Sequence, residues 1–154
     1  MRNHFEFSDS WLTPAAVDDV AGAVTDLEHY PDWWPEVRAV ARLGPDTAWV
    51  RCRSVLPYTL DLVLDSVSQT PPALEVAIGG DLTGFARFTL SACDGGTRID
   101  FQQEVRARGL LGLASYVLRP VLVWNHERMM ASCRDGLSAR LTGSGALLLD
   151  ELRP

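Results

Sequence analysis

The chain begins with alternation. Phe5 and Phe7 stand against His4, Glu6 and Ser8, and a period of two predicts a strand over Asn3 to Leu12. Thr13-Pro14 then reads as a helix N-cap and first helical position. The helix runs to about Asp26, with Val17, Val20, Ala21 and Val24 at helical spacing on its buried face. A second short helical turn is predicted over Leu27 to Trp34, stopped by Pro35.

From there the pattern is strand-like. Glu36 to Leu43 and Thr47 to Val55 flank the turn Gly44-Pro45-Asp46. Tyr58 to Ser68 alternates cleanly, with Tyr58, Leu60, Leu62 and Leu64 on one face, until Thr70-Pro71-Pro72 breaks it. Leu74 to Ile78 is a short strand, followed by the turn Gly79-Gly80-Asp81. Leu82 to Ala92 and Thr97 to Arg106 are joined by Asp94-Gly95-Gly96, a strong hairpin signal. In the last strand Ile99, Phe101, Gln103 and Val105 share one face.

The period becomes helical from about Leu110 to Leu141. Leu118, Leu122, Met129, Cys133, Leu137 and Leu141 recur three or four apart as one stripe. Pro120 lacks an amide donor and should kink this helix or start a segment of it.

Strands joined by tight turns pair as an antiparallel meander. One face of such a sheet needs cover, which the long amphipathic helix supplies. The predicted architecture is α+β: a curved antiparallel sheet wrapped around a long C-terminal helix, with two short helices after the first strand. A cone-shaped fold of the nuclear transport factor 2 type competes, but it usually begins with its helices, whereas here the strongest helix is last. No internal repeat or domain boundary is visible, so residues 1–142 read as one domain and residues 143–154 as a tail.

Composition narrows the functions. The 154 residues are 47% hydrophobic and 22% charged, with a formal net charge of -6. That charge repels a phosphate backbone, so no nucleic acid is expected as a partner. It disfavours an anionic membrane surface in the same way. No stretch has the uninterrupted apolar length of a membrane span, so stable insertion is not expected. Cys52, Cys93 and Cys133 are odd in number and widely spaced, which argues against a disulfide framework or zinc site and for a reducing cytoplasm. The N-terminus lacks the apolar core of a signal peptide. Sheet edges left by a meander could pair in a homodimer.

Several phrases look familiar together: His29-Tyr30-Pro31-Asp32-Trp33-Trp34-Pro35, Gly80-Asp81-Leu82-Thr83-Gly84, Gly95-Gly96-Thr97, and Trp124-Asn125-His126 followed by Met129-Met130 and Gly136-Leu137. Through them the chain resembles the START-like (Bet v 1-like, SRPBCC) superfamily, and within it the polyketide cyclase/dehydrase-like group. The resemblance spans Phe5 to Leu141. It implies the helix-grip fold and a mostly apolar pocket. Superfamily members bind lipids, sterols, hormones and polyketides, and some catalyse cyclisation and dehydration.

The candidate site follows from inward faces. Residues 122, 126, 129 and 133 share a face of the long helix, with 125 at its edge, which puts His126, Asn125 and Met129 against the sheet. His126 either pairs with a strand residue or binds or protonates a ligand oxygen; it is the one candidate catalytic residue. Gln103 is the polar member of an apolar face and could orient a carbonyl or pair with His126. Tyr58 leads an apolar row and could place its hydroxyl in the cavity. Trp124 packs on the other side of the helix or at the pocket floor.

Two adjacent indoles should not both point inward from one helical turn, so one of Trp33 and Trp34 is core and the other, taken as Trp34, lines the pocket mouth. Tyr116 is expected at the helix surface or near the mouth. Arg51, Arg53 and Arg87 read as a solvated outer face, or one of them as an inward group polarising a carbonyl. Asp61 and Asp65 should face solvent, so no inward carboxylate pair arises. His4, His29 and His126 lack short metal spacing, and no cofactor is expected.

Two functions fit: binding of a small hydrophobic ligand between sheet and helix, or aromatase/cyclase chemistry (enolisation, aldol closure and loss of water). The second needs a base near neutrality and an oxyanion stabiliser. A third is an interaction module, which an exposed apolar patch would support.

Overall fold

A computed structural model describes residues 3–151 apart from 54, 55 and 57; for residues 110, 115, 116 and 142–151 it describes the backbone alone. Seven strands form one antiparallel sheet in the order β1-β7-β6-β5-β4-β3-β2. They are β1 (His4–Thr13), β2 (Val37–Arg42), β3 (Thr47–Cys52), β4 (Leu60–Ser68), β5 (Ala73–Gly80), β6 (Leu82–Cys93) and β7 (Gly96–Ala107). From β2 to β7 each strand pairs with the next, as tight turns require. The sheet curves around a long C-terminal helix, which is the START-like, helix-grip fold.

β1 and β2 occupy opposite edges, so the segment between them must cross the sheet. It carries the helices α1 (Val17–Thr25) and α2 (Tyr30–Trp33), separated by a 3-10 turn at Leu27–His29. Val20, Ala21 and Val24 are buried, as their spacing predicts. Thr13, however, does not cap α1. It ends β1 opposite Thr97, and α1 starts after Ala16 with no side-chain cap. Continuing the β1–β7 ladder takes Thr13 into the sheet, and its hydroxyl receives only a 3.4 Å bond from the Ala15 amide. The connection is held instead by the fully buried Thr97, whose hydroxyl donates to the Ala15 carbonyl at 2.7 Å. The Tyr30 hydroxyl donates to the Val24 carbonyl, tying α2 to the end of α1.

The hairpin between β6 and β7 turns at Gly95, whose φ of 83° suits glycine. β3 ends at Cys52, three residues before the predicted end of its strand; Ser54 and Val55 lie outside the described residues. β4 begins at Leu60, two residues after Tyr58.

α3 (Gly109–Glu151) is one helix interrupted at Leu118, where the backbone is non-helical (φ -104°, ψ 19°) two residues before Pro120. The proline kinks the helix as predicted, and the kink turns Leu118 out of the stripe into solvent. Cys133 and Leu137 are fully buried, while Leu122, Met129 and Leu141 pack against the core. The helical backbone continues past residue 142 to Glu151. Ser132 donates to Glu36 at 2.8 Å, and Arg134 pairs with Asp9 at 2.9 Å. These contacts fix the register of α3 against β1 and the α2–β2 connection.

Candidate ligand cavity

The inner faces of β3 to β7 and the middle of α3 enclose a cavity of about 330 Å³. Its wall is mainly aliphatic: Val50, Leu60, Leu62, Leu64, Val76 and Ile78 come from alternate strand positions, with Phe88, Phe101 and Met130 completing the wall. The period-two reading of Tyr58 to Ser68 therefore located one wall correctly from Leu60 onward.

The polar point at depth is a pair. His126 Nε2 lies 2.7 Å from Gln103 Oε1. An amide oxygen only accepts, so Nε2 carries the proton and donates. The His126 ring stacks on Phe7, with centroids 3.5 Å apart and planes 10° from parallel. Burial in this apolar setting lowers the His126 pKa to about 4, so the imidazole is neutral near pH 7. Phe7 was legible as sharing one face of the first strand with Phe5; its contact with His126 was not, because β1 reaches β7 only through the sheet order.

Trp34 also lines the cavity, and its indole Nε1 donates to the Met129 carbonyl at 3.0 Å. Trp33 is buried in the core. Both indoles nevertheless turn toward α3: their rings are 6.0 Å apart and 17° from parallel. The expectation that only one could do so assumed a continuing helix. Trp34 instead follows α2 with extended backbone (φ -124°, ψ 95°), which swings its side chain back alongside that of Trp33.

Of the predicted ligand-contacting residues, Trp34, Gln103, His126 and Met129 meet at the cavity. Tyr58 and Asn125 do not line it. They pair with each other, Asn125 Nδ2 donating to the Tyr58 hydroxyl at 3.1 Å. Asn125 is only 3% exposed. At the edge of the inward face it turns sideways toward Tyr58, and burial raises the pKa of that phenol. Trp124 also lies away from the cavity, half exposed, with the Arg128 guanidinium 5.8 Å above its ring centroid. One residue before Asn125 on the helix, it faces outward.

Arg51 and Arg87 lie on the outer face of the sheet, and Arg53 is exposed just past β3. Arg51 pairs with Asp61 at 2.8 Å, and Arg87 with Glu75 at 2.5 Å and with Gln102 at 3.2 Å. Asp65 is exposed and accepts from Thr47. None of Arg51, Arg53 and Arg87 lines the cavity. The Tyr116 side chain lies outside them.

Sequence reasoning missed two features. The cavity's exposed margin carries Glu28, Arg42 and Asp46, with Asp26 beside them; they sit in turns or, for Arg42, at the last position of β2, where periodicity does not mark direction. On the outer face, His4 Nε2 is 3.4 Å from Glu6 and 3.2 Å from Glu104. Their ligand atoms lie within 4.8 Å of one another and could hold a metal ion. Spacing along the chain hid this cluster because Glu104 arrives from β7.

No described helix is long and apolar enough to cross a membrane. α3 does expose Leu113, Val117, Val121 and Trp124 along one side.

The sequence matches, over residues 4–140, the model of a family described as polyketide cyclase / dehydrase and lipid transport. No curated protein matches it. Among solved structures it is similar to a protein from Thermus thermophilus (16% identity, TM-score 0.77, covering 91% of this chain and 99% of that one). It is also similar to a START superfamily protein from Mycobacterium smegmatis (15%, 0.74, 90% and 97%). A third is the Zhui aromatase/cyclase from Streptomyces sp. R1128 (13%, 0.68, 90% and 94%). At these identities the likeness is one of fold.

Proposed function

The chain belongs to the polyketide cyclase / dehydrase and lipid transport family, and on that premise we propose that it binds a small hydrophobic ligand in the cavity between the sheet and α3. The observation that carries this reading is the cavity itself: about 330 Å³ of mostly aliphatic wall with one polar pair at depth. That volume sits at the lower end of the roughly 300–1,000 Å³ usual for ligand pockets. Apolar contact would supply the affinity, and Gln103 with His126 would orient one oxygen of the ligand.

The aromatase/cyclase reading asks more of the same residues. Removing a proton from a methylene between two carbonyls needs a base whose pKa is near the working pH. His126 falls well below that. The guanidinium groups of β3 and β6 face away from the cavity, so they are not placed to stabilise an enolate. Binding is therefore the reading the geometry favours, although similar folds include an aromatase/cyclase.

Native mass spectrometry of freshly purified protein should show a copurified small molecule, or the protein should bind the neutral fluorophore N-phenyl-1-naphthylamine saturably. Leu64→Trp, which puts bulk into the cavity, should abolish this binding while leaving the circular dichroism spectrum intact. Undiminished binding in a folded Leu64→Trp protein would place the ligand elsewhere.

A further inference from the structure

We infer that the cavity selects an uncharged, oxygen-bearing lipophile and discriminates against carboxylates and phosphates. This rests on the binding reading above and adds the ligand's charge class to it.

The first observation concerns the interior. A buried anion costs several kcal/mol unless a cation or a set of hydrogen-bond donors meets it. Among the described residues lining the cavity, the only guanidinium is that of Arg42, and the chain contains no lysine. Arg42 is exposed at the margin and already engaged: it lies 3.5 Å from Glu28 and donates to the carbonyls of Gly44 and Pro45 at 3.2 and 3.0 Å. His126 is the remaining candidate cation, but its Nε2 is committed to Gln103 and burial keeps the ring neutral. Nothing at depth is placed to balance a negative headgroup.

The second observation concerns the margin. The exposed lining residues mark where a ligand enters: Thr25 and Glu28 near the 3-10 turn, Arg42, Pro45 and Asp46 at the β2–β3 turn, and Gln69 beyond β4. The carboxylates of Asp26, Glu28 and Asp46 outnumber the single Arg42 guanidinium. An anion approaching this margin meets a field of its own sign, on a chain whose net charge is already -6.

The third observation explains why the ligand should still carry an oxygen. The Gln103 amide and the His126 ring supply dipoles and no net charge. A hydroxyl or carbonyl can satisfy such groups without bringing a charge into the apolar wall.

Matched ten-carbon amphiphiles test this. Displacement of N-phenyl-1-naphthylamine would be measured at pH 8 with decanol, decanoate and decyltrimethylammonium. Decanol should bind at least ten-fold tighter than decanoate. In Glu28→Gln/Asp46→Asn, both changes lying at the exposed margin, the decanoate deficit should narrow several-fold as the opposing field weakens. Equal affinity for decanol and decanoate in the wild type, or tighter binding of decyltrimethylammonium than of decanol, would overturn the inference while leaving the cavity reading standing. If N-phenyl-1-naphthylamine fails to bind and no small molecule copurifies, the cavity reading falls and this inference falls with it.

Discussion

Gly136 on α3 faces the backbone of Trp33 so closely that a Cβ at that position would stand 1.7 Å from the Trp33 carbonyl oxygen. The absence of a side chain is what lets α3 settle on α2. Since the obstacle is backbone, no rotamer change relieves it. Gly136→Ala should therefore destabilise the fold despite the better helix propensity of alanine, by about 1–3 kcal/mol or more. Urea unfolding followed by tryptophan fluorescence would measure it. A Gly136→Ala protein as stable as the wild type would show that α3 and α2 are not held at this distance.

The two sides of α3 should respond oppositely to truncation. Leu137 is 1% exposed, whereas Val117 is 79% exposed. Leu137→Ala leaves a cavity in the core and should cost about 2–5 kcal/mol. Val117→Ala removes little buried area and should stay within about 0.5 kcal/mol of wild type. Equal losses in chemical denaturation would mean that the exposed side of α3 is covered in solution.

The three cysteines should separate by reactivity. Burial pushes the thiols of Cys52 and Cys133 up to about 12, so almost no thiolate forms at pH 8, while Cys93 is exposed at the end of β6. The thiolate is the reactive form. Titration of native protein with Ellman's reagent at pH 8 should show one fast thiol, and denatured protein should show all three. Fast reaction of more than one native thiol would contradict the burial of Cys52 or Cys133.

Much of this fold was legible because it rests on periodicity. The alternation of Leu60, Leu62 and Leu64 located one wall of the cavity, and the spacing of Met129, Cys133 and Leu137 located the face of α3 that covers the sheet. Where periodicity stopped, the reading stopped. Thr13 looked like a cap because Pro14 follows it, yet pairing with Thr97 is a long-range event that local sequence does not encode. Asn125 stands one residue from His126 and, at the edge of the face, turns to Tyr58 rather than to the cavity. A helical wheel places a residue to within one position; it does not choose between a cavity and a side-chain partner beside it.

The His126–Gln103 pair makes a prediction about pH. The folded protein holds the His126 pKa near 4 through burial, against an ordinary value of 6.5. Between those values the unfolded chain binds a proton that the folded chain refuses. Stability from this group is thus complete above pH 6.5 and is lost as pH falls toward 4, by about 3 kcal/mol over the window. His29 acts in the opposite direction, since its hydrogen bond to Asp26 raises its pKa, but it is exposed and present in both proteins of the comparison. His126→Gln cannot titrate. It should be less stable than wild type at pH 7.5, having lost the ring stacked on Phe7, and that gap should shrink or reverse by pH 4.5. Urea midpoints of both proteins across the range would measure the difference, from which the titration of shared carboxylates cancels. A gap constant with pH would show that His126 titrates alike in the folded and unfolded chains, and so is open to water rather than sealed against Phe7 and Gln103.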